Sequence, residues 1–444
     1  MEISTHEETT NLPFTKKYPH YAERAELHLL ESIKCKLDTL SLPYKIGSST
    51  IFRVPYKLRQ SKENLFAPSV VSIGPFHHGH PRFETTEEQK WQFLRDFLSR
   101  GDHISLNHCL SEISKLEERA RRCYNESVPL DSNRFCLIML LDGCFVLEYF
   151  LKWYGHRLNS IGHSVFVLSD LLLVENQIPF FVVEKLFDIG IGQDQREDFT
   201  KYLAYNFSQA GPAVLDASIV PDPPAEIHHF VHLSYHCSIP SDPSKPFVPS
   251  SESCCPCCPC CPSMLSTITN LLLEFSLWVL TRIFRKSNSL SLPFQNPTRK
   301  RLMVIPCATE LQNAGIKLRP KSNPDHMLDI SFHHRVLEIP RLAITNESKT
   351  LLVNLIAFEQ SKSDEMNANL SSFALFLDSL VNTPNDVMIL QKCGILHNGL
   401  DSDEELTDFF NQICQGMVVK DDHFLAELFA QVNKYFYTYF VPPS

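Results

Sequence analysis

Six cysteines within one short run, Cys254, Cys255, Cys257, Cys258, Cys260 and Cys261 of CCPCCPCC, form the densest group of reactive side chains in the chain. Their overlapping C-x2-C spacings suit a thiophilic metal ion, although a structural zinc site normally brings a second pair of ligands from elsewhere. The same thiols suit reversible S-acylation. An apolar but amphipathic segment, Met264–Phe284, follows directly, and lipidated thiols beside such a segment would supply two membrane signals. An unmodified insertion is the third reading, and the residues leave all three open.

A second group is His228, His232 and His236, with His229 and Cys237 beside it. On a helix, the i, i+4, i+8 spacing puts three imidazoles on one face, but sites 228 and 236 would then lie about 12 Å apart along the axis. No carboxylate follows at ligand spacing, so a partly buried histidine stripe is the expectation. His77, His78 and His80 sit in a Gly/Pro turn, where hydrogen bonds to neighbouring backbone are the ordinary outcome. Glu148 and Glu175, each in an apolar run, are the carboxylates an uncharacterised enzyme would use for acid–base work. With 14 glycines the chain has no GxxxxGK[ST] and no complete GxGxxG, and GxSxG and HExxH are absent too. Phosphate-cradling loops, a hydrolase elbow and a zincin helix are therefore missing. We assign no catalytic residue and no cofactor.

The elements that must carry these groups are mainly helical. Three- and four-residue apolar spacing marks amphipathic helices over Tyr21–Leu40 and within Glu84–Tyr124, where Trp91, Leu94, Phe97 and Leu98 recur. Asp131–Phe150 and Ser164–Phe187 are too long and apolar for strands, and Pro179 should kink or restart the second. IFRVP and PSVVSIGP read as brief strands and turns. Ile316–Leu318, Leu328–Phe332 and Val336–Ile344 suggest a small antiparallel sheet, after which helices resume at Ser348–Gln360, Ser371–Leu380, Asp403–Cys414 and Asp422–Tyr439, with Ser402 and Asp421 as N-caps. The expected fold is α+β, mainly helical: a helical body with a small antiparallel sheet. Residues 1–19 read as a disordered arm and 20–444 as one domain, interrupted by a Pro/Ser/Cys-rich insertion at about 221–263.

Within apolar runs, Glu175, Asn176, Gln177, Glu359 and Gln360 each require a designated partner, because a buried unpaired polar group is costly. The runs that hold them also carry a resemblance. An R-V-P segment, then VVSIGPFHHG (70–79), LDGCFVLE (141–148), LLLVENQIPFF, ATELQNAGIKL (308–318), LDISF (328–332) and NLIAFEQ (354–360) follow one another as in the plant domain-of-unknown-function 247 family, also called UPF0481. The chain resembles that family over residues 20–440. The resemblance implies a protein without agreed molecular activity, a C-terminal membrane-spanning helix in typical members, and a part for some members in plant self-recognition.

A formal net charge of -10 opposes a nonspecific nucleic-acid surface, so no nucleic-acid partner is expected. MEISTHEETTNLPF lacks the n- and h-regions of a secretory signal, and the N-x-S matches at Asn125, Asn206, Asn346 and Asn369 are read as chance. The nine cysteines outside the cluster, such as Cys136, Cys144 and Cys307, are expected to be free and buried. Met264–Phe284 is long enough to cross a bilayer, at about 31 Å, but Glu274 at its middle favours lying flat on lipid or packing on the protein. The family's terminal span is absent from the closing KYFYTYFVPPS. The resulting expectation is a non-enzymatic recognition or scaffold protein, cytoplasmic or peripheral at a membrane surface, with an unidentified protein partner.

Overall fold

The computed structural model describes residues 28–34, 49–60, 62–154, 164–216, 221–240, 304–362 and 368–439. The arm 1–19, the six clustered cysteines, Met264–Phe284 and the last five residues lie outside the described residues. Two units divide the chain at Thr50. In the first, residues 28–34 are helical and present Leu29, Leu30 and Ile33 to solvent.

The second unit is built on helices. A long central helix, α3 (Ser132–Tyr154), is packed against α1 (Glu84–Leu98), α2 (Leu106–Arg122) and α5 (Phe180–Gly190). From Phe135 to Phe150 almost every side chain of α3 is buried, which is why this run shows so little amphipathic period. In α1 the buried stripe is Thr86, Lys90, Phe93, Leu94 and Phe97. Trp91, which the spacing placed on that stripe, is 53% exposed. Lys90 holds its place there because an ion pair satisfies its charge.

The run 164–187 breaks where Pro179 required. Helix α4 (Ser164–Leu171) ends, residues 172–179 turn, and α5 restarts at Phe180 with Pro179 at its N-cap. Two further helices follow, α6 (Arg196–Gln209) and α7 (Phe230–Ser238). Helix α7 lies inside the stretch assigned to an insertion, yet Phe230, Val231, Leu233 and Tyr235 are buried core residues packed with α6 and α9 (Asn346–Ser361). Residues 241–263 of that stretch lie outside the described residues.

After α8 (Ala308–Asn313), the strands β1 (Lys317–Pro320), β2 (Ser331–His333), β3 (Val336–Ile339), β4 (Leu342–Ile344) and β5 (Leu396–Asn398) form two small sheets. The first has the order β1-β3-β2, and β2 and β3 pair antiparallel through a turn in which His334 and Arg335 both have positive φ, 48° and 68°. Two left-handed residues give a turn twist that matches strand twist. The expectation of an antiparallel sheet holds for that hairpin. By contrast, β1 runs parallel to β3, and β4 runs parallel to β5, which arrives only after three intervening helices. The edge strand β1 carries Lys317, Arg319 and Pro320, residues that discourage further pairing. Helices α10 (Asn369–Leu380), α11 (Pro384–Lys392), α12 (Asp403–Ile413) and α13 (Ala426–Tyr439) complete a mainly helical α+β fold. Ser402 caps α12 by accepting from Glu405 N, as expected, whereas α13 starts at Ala426, past Asp421.

Candidate functional site

PSVVSIGP (68–75), expected to form brief strands and turns, pairs with no strand among the described residues; over 69–74 side chains replace the ladder. Asp170, at the end of α4, accepts from the backbone N–H of Ser69, Val70 and Val71 at 2.8, 2.6 and 2.9 Å. Asn176 accepts from Ile73 N at 2.7 Å and donates to Val71 O at 3.0 Å. Asp142 of α3 accepts from Gly74 N at 2.7 Å, while Lys90 Nζ donates to Ser72 O at 2.5 Å and Thr86 Oγ1 to Val70 O at 2.8 Å. Four elements thus clamp one segment through its own backbone. The clamp includes a buried ion pair, Lys90 Nζ to Asp142 Oδ1 at 2.5 Å, with Glu87 Oε1 at 2.6 Å. Burial pushes the Asp142 carboxyl up to about 6 although Lys90 pulls it down. Burial also raises that of Asp170, against the pull of its N–H donors.

The segment continues into a charged rim. Glu175, fully buried, accepts from Val54 N at 2.6 Å, is ion-paired with Arg59, and lies 3.4 Å from Arg53 Nη1. Arg53 also donates to Phe76 O at 3.1 Å, and its guanidinium sits 4.5 Å above the Phe76 ring. His77 Nε2 is 3.7 Å from Glu175 Oε2. Burial, then Arg53 and Arg59, push His77 down to about 4, so it is neutral at pH 7.

Gln177 spans the break between α4 and α5. Its Nε2 donates to Leu171 O and Leu173 O at 2.6 and 2.8 Å, and its Oε1 accepts from Phe230 N at 3.0 Å, at the start of α7. Asn354 of α9 accepts from Val174 N at 3.0 Å and donates to Leu65 O at 2.7 Å. Five residues on, Glu359 accepts from Leu370 N at 2.8 Å and Ser371 N at 2.7 Å, capping α10, and from the Tyr235 hydroxyl at 2.7 Å. Gln360 exchanges two bonds with Val418, donating to O at 3.0 Å and accepting from N at 2.9 Å. All five polar residues flagged in apolar runs therefore have partners, and most of those partners are backbone groups.

The sequence left other members of this network unmarked. Asp386, fully buried, accepts from Thr309 N and Oγ1 at 2.8 and 2.6 Å and from Thr383 N at 2.9 Å. Its partners Thr309 and Thr383 are ordinary polar residues in the sequence. Lys90 and Asp170 carry no local signal either, and Asp142 stands in the quoted LDGCFVLE without any sign of its partners.

Glu148 is ion-paired with Arg100, whose Nη2 donates to it at 3.0 Å, and Glu175 with the arginines already named. His229 is the N-cap of α7, its Nδ1 accepting from His232 N at 3.2 Å. His232 Nδ1 accepts from His228 N at 3.1 Å, and these two rings stack at 4.4 Å. His232 and His236 rings are 6.3 Å apart. Among the described residues, no group of three or more His, Cys, Asp or Glu could hold a metal ion. His80 accepts from Arg82 N at the start of a short 3-10 turn. Cys109, Cys136, Cys144, Cys237 and Cys307 are free and buried, whereas Cys123, Cys393 and Cys414 are partly exposed. Asn369 is buried and the Asn206 amide is bonded to Tyr202 O at 2.7 Å, so neither presents itself for glycosylation. No described helix is long and apolar enough to cross a membrane.

A family model described as a plant protein of unknown function, DUF247, matches residues 51–440. The chain belongs to the DUF247 family. The DUF247 match begins two residues before Arg53 and takes in every member of the clamp and rim. The UPF0481 protein At3g47200 of Arabidopsis thaliana is 27% identical over 410 residues, covering 87% of this chain and 77% of that protein. The putative UPF0481 protein At3g02645 of the same plant is 22% identical over 437 residues, covering 87% and 82%. No solved structure matches. The DUF247 resemblance read from the motifs is thereby established, and the motifs hold part of the clamp and its surroundings: VVSIGPFHHG carries the clamped segment, LDGCFVLE supplies Asp142, and LLLVENQIPFF supplies Asn176 together with Glu175 of the rim and Gln177 of the helix break.

Proposed function

We propose that this chain is a non-enzymatic recognition or scaffold protein of plant cells, acting through a protein partner in the cytoplasm or peripherally at a membrane surface. One observation carries the reading. The polar residues that distinguish this chain, from Asp142 to Glu359, are spent on its own backbone and on ion pairs, which fixes a rigid body instead of leaving a base or nucleophile aimed at a substrate. Such a body presents surface. In-cell crosslinking followed by size separation tests this: a discrete species heavier than the chain is expected, and a chain that stays monomeric at every expression level would overturn it.

Peripheral membrane contact would rest on the sequence alone, with S-acylation of Cys254, Cys255, Cys257, Cys258, Cys260 and Cys261 beside the amphipathic Met264–Phe284. Fractionation of tagged protein compares the intact chain, a six-Cys-to-Ser variant and a chain lacking 264–284. Loss of the membrane fraction in the two variants supports this part; three equally soluble chains reject it.

A further inference from the structure

Where the clamp ends, the backbone is left open. Side chains take up the N–H groups of Ser69, Val70, Val71, Ile73 and Gly74, but those of His77, His78 and Gly79 meet no acceptor among the described residues. Gly79 is exposed, has φ +80° and has open space around it. Successive free N–H groups in a turn with a left-handed residue are the donors with which a backbone holds anions.

Cations face the same turn. Arg53, with 39% of its side chain exposed, stands 4.5 Å above the Phe76 ring and donates to Phe76 O at 3.1 Å. Arg82 is exposed, donates to Ser69 O at 3.2 Å, and has no carboxylate partner among the described residues. Burial lowers His77, and Arg53, Arg59, His80 and Arg82 lower it further, so the field of all three arginines reaches the turn. Their counter-charges are Glu175, fully buried and shared by Arg53 and Arg59, and the half-exposed Glu126, 3.3 Å from Arg53 Nε. Glu87, 3.8 Å from His78 Nδ1, is held by Lys90 at 2.6 Å. Three arginines thus meet two carboxylates at this rim, in a chain whose net charge is -10.

We propose that the turn His77–Gly79, together with Arg53 and Arg82, binds a phosphorylated side chain of a protein partner. Donors from two guanidinium groups and a backbone turn exceed what the two oxygens of a carboxylate can accept, whereas a phosphate brings three oxygens and more charge. Exposed ion pairs are weak, so Glu126 yields Arg53 to the stronger anion. The negative charge of the whole chain opposes an anionic lipid surface, which leaves a protein as the source of the phosphate. The site gives the recognition reading a partner chemistry and so rests on it; crosslinking detects any partner, whereas a peptide titration interrogates this rim alone.

The test is fluorescence anisotropy of a labelled Gly-Gly-phosphoserine-Gly-Gly peptide titrated with the full chain, against the same peptide carrying serine. The phosphorylated peptide should bind at least about tenfold more tightly. Arg82→Gln, which frees only the exposed Ser69 O, should weaken it about tenfold with the thermal midpoint unchanged. Glu126→Gln should tighten it about threefold, while Glu197→Gln, the same charge change in an exposed ion pair on α6, leaves it as it was. Equal binding of the two peptides, or a phosphopeptide affinity that Arg82→Gln leaves unmoved, would overturn the proposal. So would a chain that sediments with vesicles of phosphatidylcholine and phosphatidylinositol phosphate yet ignores the peptide.

Discussion

Gln177 Oε1 accepts the backbone amide of Phe230 at 3.0 Å, so one side chain in the break between α4 and α5 starts a helix 53 positions later. The Gln177 Nε2 donates to Leu171 O, Leu173 O and Asn176 O. Gln177→Ala strands several buried backbone groups at once and should cost about 2–4 kcal/mol in urea unfolding. Gln177→Glu keeps the acceptor but turns a carboxylate oxygen toward three carbonyls. It should be at least as damaging at pH 7, and a Glu variant of wild-type stability would contradict the assignment of donors and acceptors.

Gly74 has φ +76°, and a Cβ there would lie 2.2 Å from Gln177 O. Gly79 has φ +80° and open space around it. Both lose left-handed freedom on substitution, but only Gly74 also collides with backbone. Gly79→Ala should cost roughly 1 kcal/mol and Gly74→Ala roughly 3 kcal/mol or more. Equal thermal midpoints for the two variants would show that the clamped segment gives way easily.

Acid should loosen the histidine stripe. Burial, then His228 and His236, push His232 down to about 3, and its Nδ1 must stay unprotonated to accept from His228 N. His77 is held near 4. Between those values and the ordinary value near 6.5, the unfolded chain binds more protons, so stability falls as pH drops below about 6.5. Asp142, raised to about 6, acts with the opposite sign over about 4 to 6, because there the folded chain holds the extra proton. Burial likewise raises Asp170, Glu184 and Asp378 and lowers His78, His236, His326 and His423, so among the described residues six lowered histidines outweigh four raised carboxyls. The urea midpoint should therefore fall from pH 7 to pH 5, and less steeply in His232→Asn; a rising midpoint would refute this balance.

Lys62 acts at the alkaline end. Burial holds its folded value near 8, below its unfolded value, so the unfolded chain holds the extra proton from about pH 8 to pH 10.4 and stability rises with pH across that window. Subtracting Lys62→Met from wild type cancels the other titrating groups. The difference should move by roughly 1–3 kcal/mol in favour of wild type between pH 7.5 and pH 10. A flat difference would mean that the amine is solvated.

Much of the helical body was legible from apolar spacing, as in Phe93–Phe97, from apolar runs too long for a strand, as in Asn346–Ser361, and because Pro179 and Ser402 act locally. Helices Arg196–Gln209, Ala308–Asn313 and Pro384–Lys392 were not, since tertiary packing rather than local period sustains them. That Glu175 and Glu359 needed partners could be argued from burial cost; which partners could not, because Val54 lies 121 positions away from Glu175. The segment 69–74 has strand-like residues but borrows Asp170, Asn176, Asp142 and Lys90 in place of a neighbouring strand, an arrangement without local signature. Lys62 was hidden for the same reason: in KLRQSKENLF nothing distinguishes the buried Lys62 from the exposed Lys57.

The clamp itself is tested most directly by native-state hydrogen exchange at the amides of Val70, Val71, Ile73 and Gly74. In the wild-type chain they should exchange as slowly as the central helix 132–154, through global unfolding, and Asn176→Ala should release Ile73 first. Wild-type exchange of these four amides within minutes, as in a loop open to water, would contradict the account.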